Sequence, residues 1–275
     1  MERLSANGAE LEYETRGSGE PLVLIHGAIS AEAFDALLGE SALASRYQVT
    51  NYHRRGFLGS SRHNGPCSIA EQAADALAVI RQVAGGRGHV AGHSYGGAIL
   101  LQLALDAPEA VHTLALLEPP LPVPSAEAFI GRLAATAGIY AAGDGEGAMD
   151  AFLDIVLGPS EYKEACARHL PEGWHERAVA DIDTFYQVEF PALGEWAFTR
   201  ELAQGVTQPV LSVYGANSDP FFREGDTLIG DWLPQAETFV LPEASHGLEF
   251  MNPRGMAEGL VAFLAKHPMR VPATA

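Results

Sequence analysis

The chain has few cysteines, little positive charge and no long apolar run. Its 275 residues include two cysteines, Cys67 and Cys166, and 17 Lys and Arg against 35 Asp and Glu, for a formal charge of −18. Two distant thiols form neither a zinc-binding pattern nor a disulfide framework. The acidic balance argues against nucleic acid or an anionic membrane surface as a partner. No run is long and apolar enough to predict a membrane-spanning helix.

The remaining composition is that of a globular protein. Apolar residues make up 47% of the chain, which is enough to build a full core. The first residues lack the apolar core of a signal peptide, so we expect a cytoplasmic protein with reduced thiols. The length fits one large α/β domain, or a domain that carries an insertion. The sequence leaves the oligomeric state open.

Apolar strands alternate with helical patterns toward both ends of the chain. Residues 22–25 form a continuous apolar run, as in a strand buried on both faces, and residues 69–83 repeat apolar side chains at the helical period. This alternation predicts a parallel sheet with helices on both faces. Residues 121–204 show helical periodicity without a clear strand, which predicts a helical insertion. We therefore expect a core of residues 1–120 and 205–275, with a tail that frays from residue 268.

The most informative stretch is Gly92-His93-Ser94-Tyr95-Gly96-Gly97, which lies between a short β-prone run and a long apolar run. This context predicts a strand, a sharp turn and a helix, with Ser94 at the apex of the turn. Glycines on either side allow two backbone segments to approach closely. The turn exposes the Ser94 hydroxyl, and the backbone N–H of Tyr95 points into the same space from a helix N-terminus.

A serine hydroxyl is a weak nucleophile and needs a base, which in turn needs an orienting carboxylate. His246 follows the last predicted strand and so leaves the sheet at the edge that carries Ser94, where parallel α/β sheets bind ligands. His169 and His175 have glutamates nearby, but their spacing fits no familiar zinc motif. The sequence therefore predicts a serine nucleophile with a histidine base and neither a metal nor another cofactor.

Several motifs in this order together resemble the α/β-hydrolase superfamily, in particular its serine esterase and lactonase members. They are His26-Gly27 after an early strand, the segment 52–56, the turn at Ser94, and the late Ser245-His246-Gly247. The resemblance implies a mostly parallel eight-stranded sheet, a cap formed by residues 121–204, and an oxyanion hole made by the backbone N–H groups of Ala28 and Tyr95.

The carboxylate of the triad has two candidates. Superfamily members most often place it three residues beyond the glycine that here is Gly215; that position is Ser218, and an acid appears one residue later, at Asp219. Glu118, at the end of the strand after the turn helix, is the position used by a minority of members. An ionised Glu there needs a partner, which the imidazole supplies, whereas Asp219 also suits a helix N-cap. We favour Glu118 and keep Asp219 as the alternative.

The resemblance predicts hydrolysis of a carboxylic ester or lactone through an acyl-enzyme, acting on a small apolar or moderately polar substrate. Serine at position 94 excludes the epoxide hydrolases and haloalkane dehalogenases of the superfamily, because they attack with a carboxylate. Carbon–carbon bond hydrolases, hydroxynitrile lyases and cofactor-free perhydrolases remain as alternatives. The lyases tend to need a lysine near the pocket, and the chain has only Lys163 and Lys266.

Overall fold

An eight-stranded sheet forms the centre of the molecule, for which a computed structural model describes residues 1–159 and 161–269. The strands are β1 (Glu2–Ala6), β2 (Ala9–Gly17), β3 (Glu20–Ile25), β4 (Tyr47–Tyr52), β5 (Gly88–His93), β6 (Val111–Leu117), β7 (Val210–Gly215) and β8 (Ala236–Leu241). Their order across the sheet is β1-β2-β4-β3-β5-β6-β7-β8. β2 pairs antiparallel with β1 and β4, and the other pairings are parallel. The predicted mostly parallel α/β sheet of eight strands is therefore confirmed.

Helices connect the parallel strands. They are α1 (Asp35–Leu38), α2 (Ser41–Ala44), α3 (Ile69–Val83), α4 (Tyr95–Asp106), α5 (Ala126–Ala141), α6 (Gly145–Leu157), α7 (Glu161–His169), α8 (Trp174–Ala180), a π-helix (Thr184–Glu189), α9 (Phe190–Glu195), α10 (Arg200–Ala203), α11 (Pro220–Trp232), α12 (Leu248–Met251) and α13 (Pro253–Leu264). In the described part of the chain, the segment between β6 and β7 contains α5 to α10 and the π-helix, and no strand. The boundaries 121 and 204 stay a prediction, and residues 270–275 of the expected tail lie outside the described residues.

The sheet is buried on both faces because its central strands are apolar on both. In β3, Val23 and Ile25 pack into one hydrophobic cluster with α3 and α4, whereas Leu22 and Leu24 pack into another with α1, α2 and α13. A continuous apolar run is what a strand between two helical layers requires. The two layers hold the carboxyl ends of the parallel strands rigid, and the loops that leave those ends build the site.

Candidate active site

Ser94 lies on a sharp turn between β5 and α4, in the strained backbone conformation φ 51°, ψ −119°. Glycine is required on both sides of it. A Cβ at Gly92 would stand 2.4 Å from the carbonyl oxygen of Gly96, and a Cβ at Gly96 would stand 2.2 Å from that of Ile25. The Ser94 N–H donates to the carbonyl of Leu117 on β6 at 2.8 Å. The turn is thus hydrogen-bonded to β6 and lies close against the end of β3, a close approach that the glycines allow.

His246 and Glu118 come together at the same edge of the sheet. The Nδ1–H of His246 donates to Oε2 of Glu118 at 2.6 Å, and the backbone N–H of Gly215 donates to Oε1 at 2.8 Å. Both side chains are buried. Glu118 also has a positive φ of 49°, which turns it out of β6 toward His246. Because Nδ1 is the donor, Nε2 of the neutral imidazole is left as an acceptor.

The protonation state of His246 follows from its surroundings. Burial lowers the pKa of the imidazole, the hydrogen bond to Glu118 opposes that effect, and the net direction is downward. The ring stacks on Phe222, with centroids 3.9 Å apart and planes 12° apart. The neighbouring Ser245 hydroxyl donates to the carbonyl of Leu157 on α6 at 2.8 Å. The imidazole of His246 is therefore neutral at neutral pH and is held in one orientation.

Ser94 and His246 line one cavity that has two lobes. Six phenylalanines surround what we name the phenylalanine lobe: Phe129, Phe152, Phe185, Phe190, Phe221 and Phe222. The other, which we name the tryptophan lobe, is lined by Trp174, Phe250 and three leucines of the helical segment. Ala28, Phe152 and Val156 line both lobes together with Ser94 and His246. A substrate bound at Ser94 can therefore place an apolar group on each side.

The proposed oxyanion donors lie beside Ser94. Ala28 follows β3, and in the described residues its N–H donates to no backbone carbonyl. Tyr95 is the first residue of α4, where an N–H has no partner within the helix. The loop that contains Ala28 turns sharply at the next residue. Ile29 has a φ of 73°, and the Ser30 N–H donates to the carbonyl of Ala28 at 2.9 Å. A β-branched residue at positive φ is strained, and here it is buried in the core.

Asp219 has other partners. Its carboxylate accepts the N–H of Phe221 at 2.9 Å, as an N-cap of α11, and binds the Arg132 guanidinium at 2.6 Å. Among the described residues no hydrogen bond joins Asp219 to His246. The structure thus brings Glu118, the candidate that we favour, to the imidazole. Asp219 instead caps the first turn of α11, which contains Phe221 and Phe222.

A second histidine–glutamate pair lies under the first. His93 donates from Nε2 to the carbonyl of His246 at 2.8 Å, and its Nδ1 is 3.0 Å from Oε1 of Glu249. Both side chains are buried, and the ring centroids of His93 and His246 are 4.6 Å apart. Burial lowers the pKa of His93, but the charge and hydrogen bond of Glu249, the charge of Glu118 and the carbonyl of His246 together outweigh burial, so the net direction is upward. Sequence reasoning missed Glu249; its place on a short helix just after His246 was the available signal.

Arg54 is a further buried charged side chain near the site. It follows β4 and donates to the carbonyls of His26 and Gly27, to Gln72 on α3, and to Glu189 at the end of the π-helix. The sequence gives no signal for Glu189 as a partner of Arg54. Glu189 stands between Val188 and Phe190 in the helical segment, and only the fold brings it to Arg54.

The remaining predictions concern groups away from the cavity. Lys163 lies exposed on α7 and Lys266 binds Glu237, so neither lysine lines the lobes. In residues 1–159 and 161–269 there is no cluster of three or more His, Cys, Asp or Glu that could hold a metal ion. No helix in that same part of the chain is long and apolar enough to cross a bilayer.

The architecture and the turn at Ser94 define an α/β hydrolase. The alpha/beta hydrolase family model matches residues 22–259, and the chain belongs to this family. It is 41% identical over 109 residues to a protein of Azorhizobium caulinodans named "Putative carbamate hydrolase RutD", an alignment that spans 40% of this chain and 41% of that protein.

Two further similarities extend over nearly the whole length. The chain is 27% identical over 266 residues to the pimeloyl-acyl-carrier protein methyl ester esterase of Aeromonas hydrophila, covering 92% of this chain and 99% of that protein. A thermophilic esterase from Thermogutta terrifontis has the same fold, with a TM-score of 0.83 and 19% identity over 98% of this chain and 100% of the other.

Proposed function

We propose that the protein is a serine hydrolase that cleaves a carboxylic ester or lactone through an acyl-enzyme. One observation carries the proposal: the 2.6 Å hydrogen bond from His246 to Glu118 lies at a cavity that Ser94 also lines. Membership of the hydrolase family supports a hydrolytic enzyme. The name of the Aeromonas relative, a methyl ester esterase, supports the ester as substrate class.

Acylation uses the neutral imidazole. With Nδ1–H bound to Glu118, Nε2 takes the proton of the Ser94 hydroxyl while Oγ bonds to the substrate carbonyl carbon. The carbonyl oxygen becomes an oxyanion, which the N–H groups of Ala28 and Tyr95 stabilise by about 3 kcal/mol each. His246 then gives its proton to the leaving oxygen, and the alcohol departs. Glu118 stabilises the imidazolium that exists between these two proton transfers.

Deacylation repeats the same steps with water. His246 removes a proton from a water molecule, whose oxygen attacks the acyl carbon bound to Ser94. The same two N–H groups hold the second oxyanion. When the intermediate collapses, His246 returns the proton to Oγ of Ser94, and the carboxylic acid leaves. For a lactone the alcohol and the acid are one molecule, a hydroxy acid, and no separate leaving group departs.

The lobes favour a small apolar or moderately polar, neutral substrate. No Lys or Arg is among the residues that line them. Glu249 is the one lining carboxylate of the described chain, and it is paired with His93. A charged group on the substrate would lose its hydration there without gaining a partner. We therefore expect neutral esters to be hydrolysed faster than esters that carry a free carboxylate.

A carbamate is the second candidate substrate, because the Azorhizobium relative carries that activity in its name. A carbamate carbonyl would be attacked by the same hydroxyl and held by the same donors. A panel of matched esters, lactones and carbamates separates the two candidates by their kcat/KM values. Faster carbamate turnover would replace the ester in the proposal and leave the serine mechanism intact.

Ser94→Ala tests the mechanism directly. We expect kcat to fall by roughly 10³- to 10⁶-fold with an unchanged melting temperature, because the nucleophile is removed without loss of packing. A fluorophosphonate should label the wild-type protein at Ser94 and leave the variant unlabelled. An unchanged hydrolysis rate in Ser94→Ala would refute the serine mechanism.

We also propose that the protein acts in the cytoplasm. Cys67 and Cys166 are both buried and free, and burial raises the pKa of the two thiols to about 11 and about 12. Such thiols are unreactive at neutral pH and are suited to a reducing compartment. Cell fractionation with an antibody against the protein tests the location.

A further inference from the structure

The guanidinium of Arg54 holds the peptide group that supplies one of the two oxyanion donors. The carbonyl of Gly27 and the N–H of Ala28 belong to the same trans peptide, so they point in opposite directions. Nη2 of Arg54 donates to that carbonyl at 2.7 Å, and Nε donates to the carbonyl of His26 at 3.0 Å. The direction of the Ala28 N–H is therefore held from the far side of its peptide plane by the charged Arg54 and by the Nδ1–H of His26, which donates to the same carbonyl at 2.8 Å.

The guanidinium of Arg54 also packs against the side chain of Tyr95, whose backbone N–H is the second proposed oxyanion donor. Its central carbon lies 5.1 Å from the ring centroid of Tyr95 and 4.9 Å from that of Phe57. Gln72 accepts from Nη1 of Arg54 at 2.5 Å and donates to the Tyr95 hydroxyl at 3.1 Å. Arg54 thus contacts, directly or through one side chain, both residues whose N–H groups are the proposed donors. A charged donor also polarises the Gly27–Ala28 peptide, which strengthens the N–H as a donor.

The charge of Arg54 is balanced from the helical segment. Glu189, the last residue of the π-helix, binds Nη1 with its fully buried carboxylate. At the other end of that helix, the Thr184 hydroxyl donates to the carbonyl of Gly56 at 2.9 Å. Arg54 and Gly56 belong to the same loop after β4, so the π-helix is fixed to that loop at both ends. Removing Glu189 alone would leave a buried, uncompensated guanidinium.

We propose that Arg54 and Glu189 are a positioning pair through which the helical segment holds the oxyanion hole in its working geometry. The inference rests on the proposed function, since it assigns a purpose to the Ala28 N–H only if Ser94 forms an oxyanion. Neither residue lines the two lobes. Both therefore act on the reaction through the Gly27–Ala28 peptide rather than by contact with substrate.

Glu189→Gln is the first test. We expect kcat to fall about 10- to 100-fold while KM changes less than twofold, because the donor matters most when charge develops on the oxygen. A trifluoromethyl ketone, which forms an oxyanion on Ser94, should lose affinity by the same factor as kcat/KM. Binding of the product alcohol, which forms no oxyanion, should be unchanged. A purely structural pair would alter the two affinities equally.

Asp181→Asn is the matched control. Asp181 is also a buried carboxylate of the helical segment, and it holds the loop after β4 by accepting the N–H of Leu58 at 2.7 Å and binding Arg62. It has no contact with the Gly27–Ala28 peptide among its hydrogen bonds in the described chain. We expect it to lower the melting temperature and to leave kcat unchanged. An equal loss of kcat in both variants would overturn the proposal.

The double variant Arg54→Met with Glu189→Leu separates stability from positioning. Replacing both members of a buried ion pair by apolar side chains of similar size is often neutral for folding. We therefore expect a melting temperature near that of the wild type and a kcat still reduced at least about tenfold. A wild-type kcat in this variant would overturn the proposal, because the loss in Glu189→Gln would then come only from the unpaired guanidinium. Failure of the proposed function has a different signature, namely an unchanged rate in Ser94→Ala.

Discussion

Two histidine–glutamate pairs lie side by side at the carboxyl edge of the sheet and do different work. His246 binds Glu118 through Nδ1 and turns its other nitrogen to the cavity. His93 has both nitrogens occupied, one by Glu249 and one by the backbone carbonyl of His246. The pKa of His246 is lowered, chiefly by burial, whereas that of His93 is raised, because Glu249, Glu118 and the His246 carbonyl together outweigh its burial. The same two residue types thus form a candidate base in one place and a buried ion pair in the other.

The two imidazole rings are chemically identical, so the difference between the roles of His246 and His93 follows from the groups around each ring. A base needs one unoccupied acceptor nitrogen and a pKa that keeps it neutral at working pH. A histidine that supports a loop uses both ring nitrogens for contacts. In His93 both nitrogens face oxygen acceptors, and an imidazole that carries a proton on each nitrogen is charged. Four experiments on three variants test whether this division of roles holds, beginning with the largest expected effect.

Glu118→Gln should give the largest loss. The amide can still accept a hydrogen bond, but it no longer stabilises an imidazolium at His246, so we expect kcat to fall roughly 10⁴-fold. The measurement is steady-state hydrolysis of a neutral nitrophenyl ester. Glu249→Gln under the same conditions should cost less than about tenfold, since Glu249 touches no reacting group. Equal losses in the two variants would abolish the distinction between the pairs.

The pH profile of Glu249→Gln sharpens the comparison. In the wild type, kcat/KM should fall at acid pH as His246 is protonated, with an apparent pKa below the usual 6.5 or so. Charged His93 lowers the pKa of His246 more than Glu249 raises it. In Glu249→Gln the His93 ring is neutral, so the acid limb should move to higher pH. A shift to lower pH would mean that His93 is uncharged in the wild type.

The same variant should also change the dependence of stability on pH. The folded pKa of His93 is raised above its unfolded value, so its pair with Glu249 stabilises the fold fully below about pH 6.5. That contribution is lost as the pH rises through the folded pKa. The difference in melting temperature between wild type and Glu249→Gln should therefore be largest at acid pH and shrink toward alkaline pH. A constant difference would contradict the charged pair.

Asp219→Asn should have the smallest effect on activity. Its carboxylate caps α11 and binds the half-exposed Arg132. Asn can still cap the helix, so only the ion pair is lost, and we expect a cost below about 1 kcal/mol of unfolding free energy, measured by urea denaturation. The change in kcat should stay within a few-fold, through slight movement of Phe222 against His246. A loss as large as that of Glu118→Gln would make Asp219 the functional acid after all.

Much of the fold could be predicted because its pattern is local. The apolar run of β3 and the helical period of α3 both appear in a few consecutive residues, and the structure has both. β1 was missed, although Leu4 and Ala6 are buried and their neighbours are exposed. Five residues of alternation are too short to stand out before the partner strand β2 is known.

The residues of the candidate site also divide into those that a local sequence pattern predicts and those that depend on a distant partner. Ser94 and Tyr95 follow from a turn whose glycines are adjacent in the chain, and His246 from a loop directly after a strand. The acid could only be narrowed to Glu118 or Asp219, because its partner lies 128 residues away from Glu118. The position of Glu249 just after His246 was the one local signal for it, and its pairing with His93 could not be predicted because the two residues lie far apart in the chain.

The sequence by itself determined the alternation of strands and helices and the sharp turn at Ser94, and it predicted a serine nucleophile with a histidine base. It did so because backbone conformation and amphipathic period are properties of neighbouring residues. Only the tertiary structure decided which carboxylate faces which imidazole and which charge balances Arg54. Those are distances between residues far apart in the chain, and they exist only once the sheet edge and the helical segment have packed together.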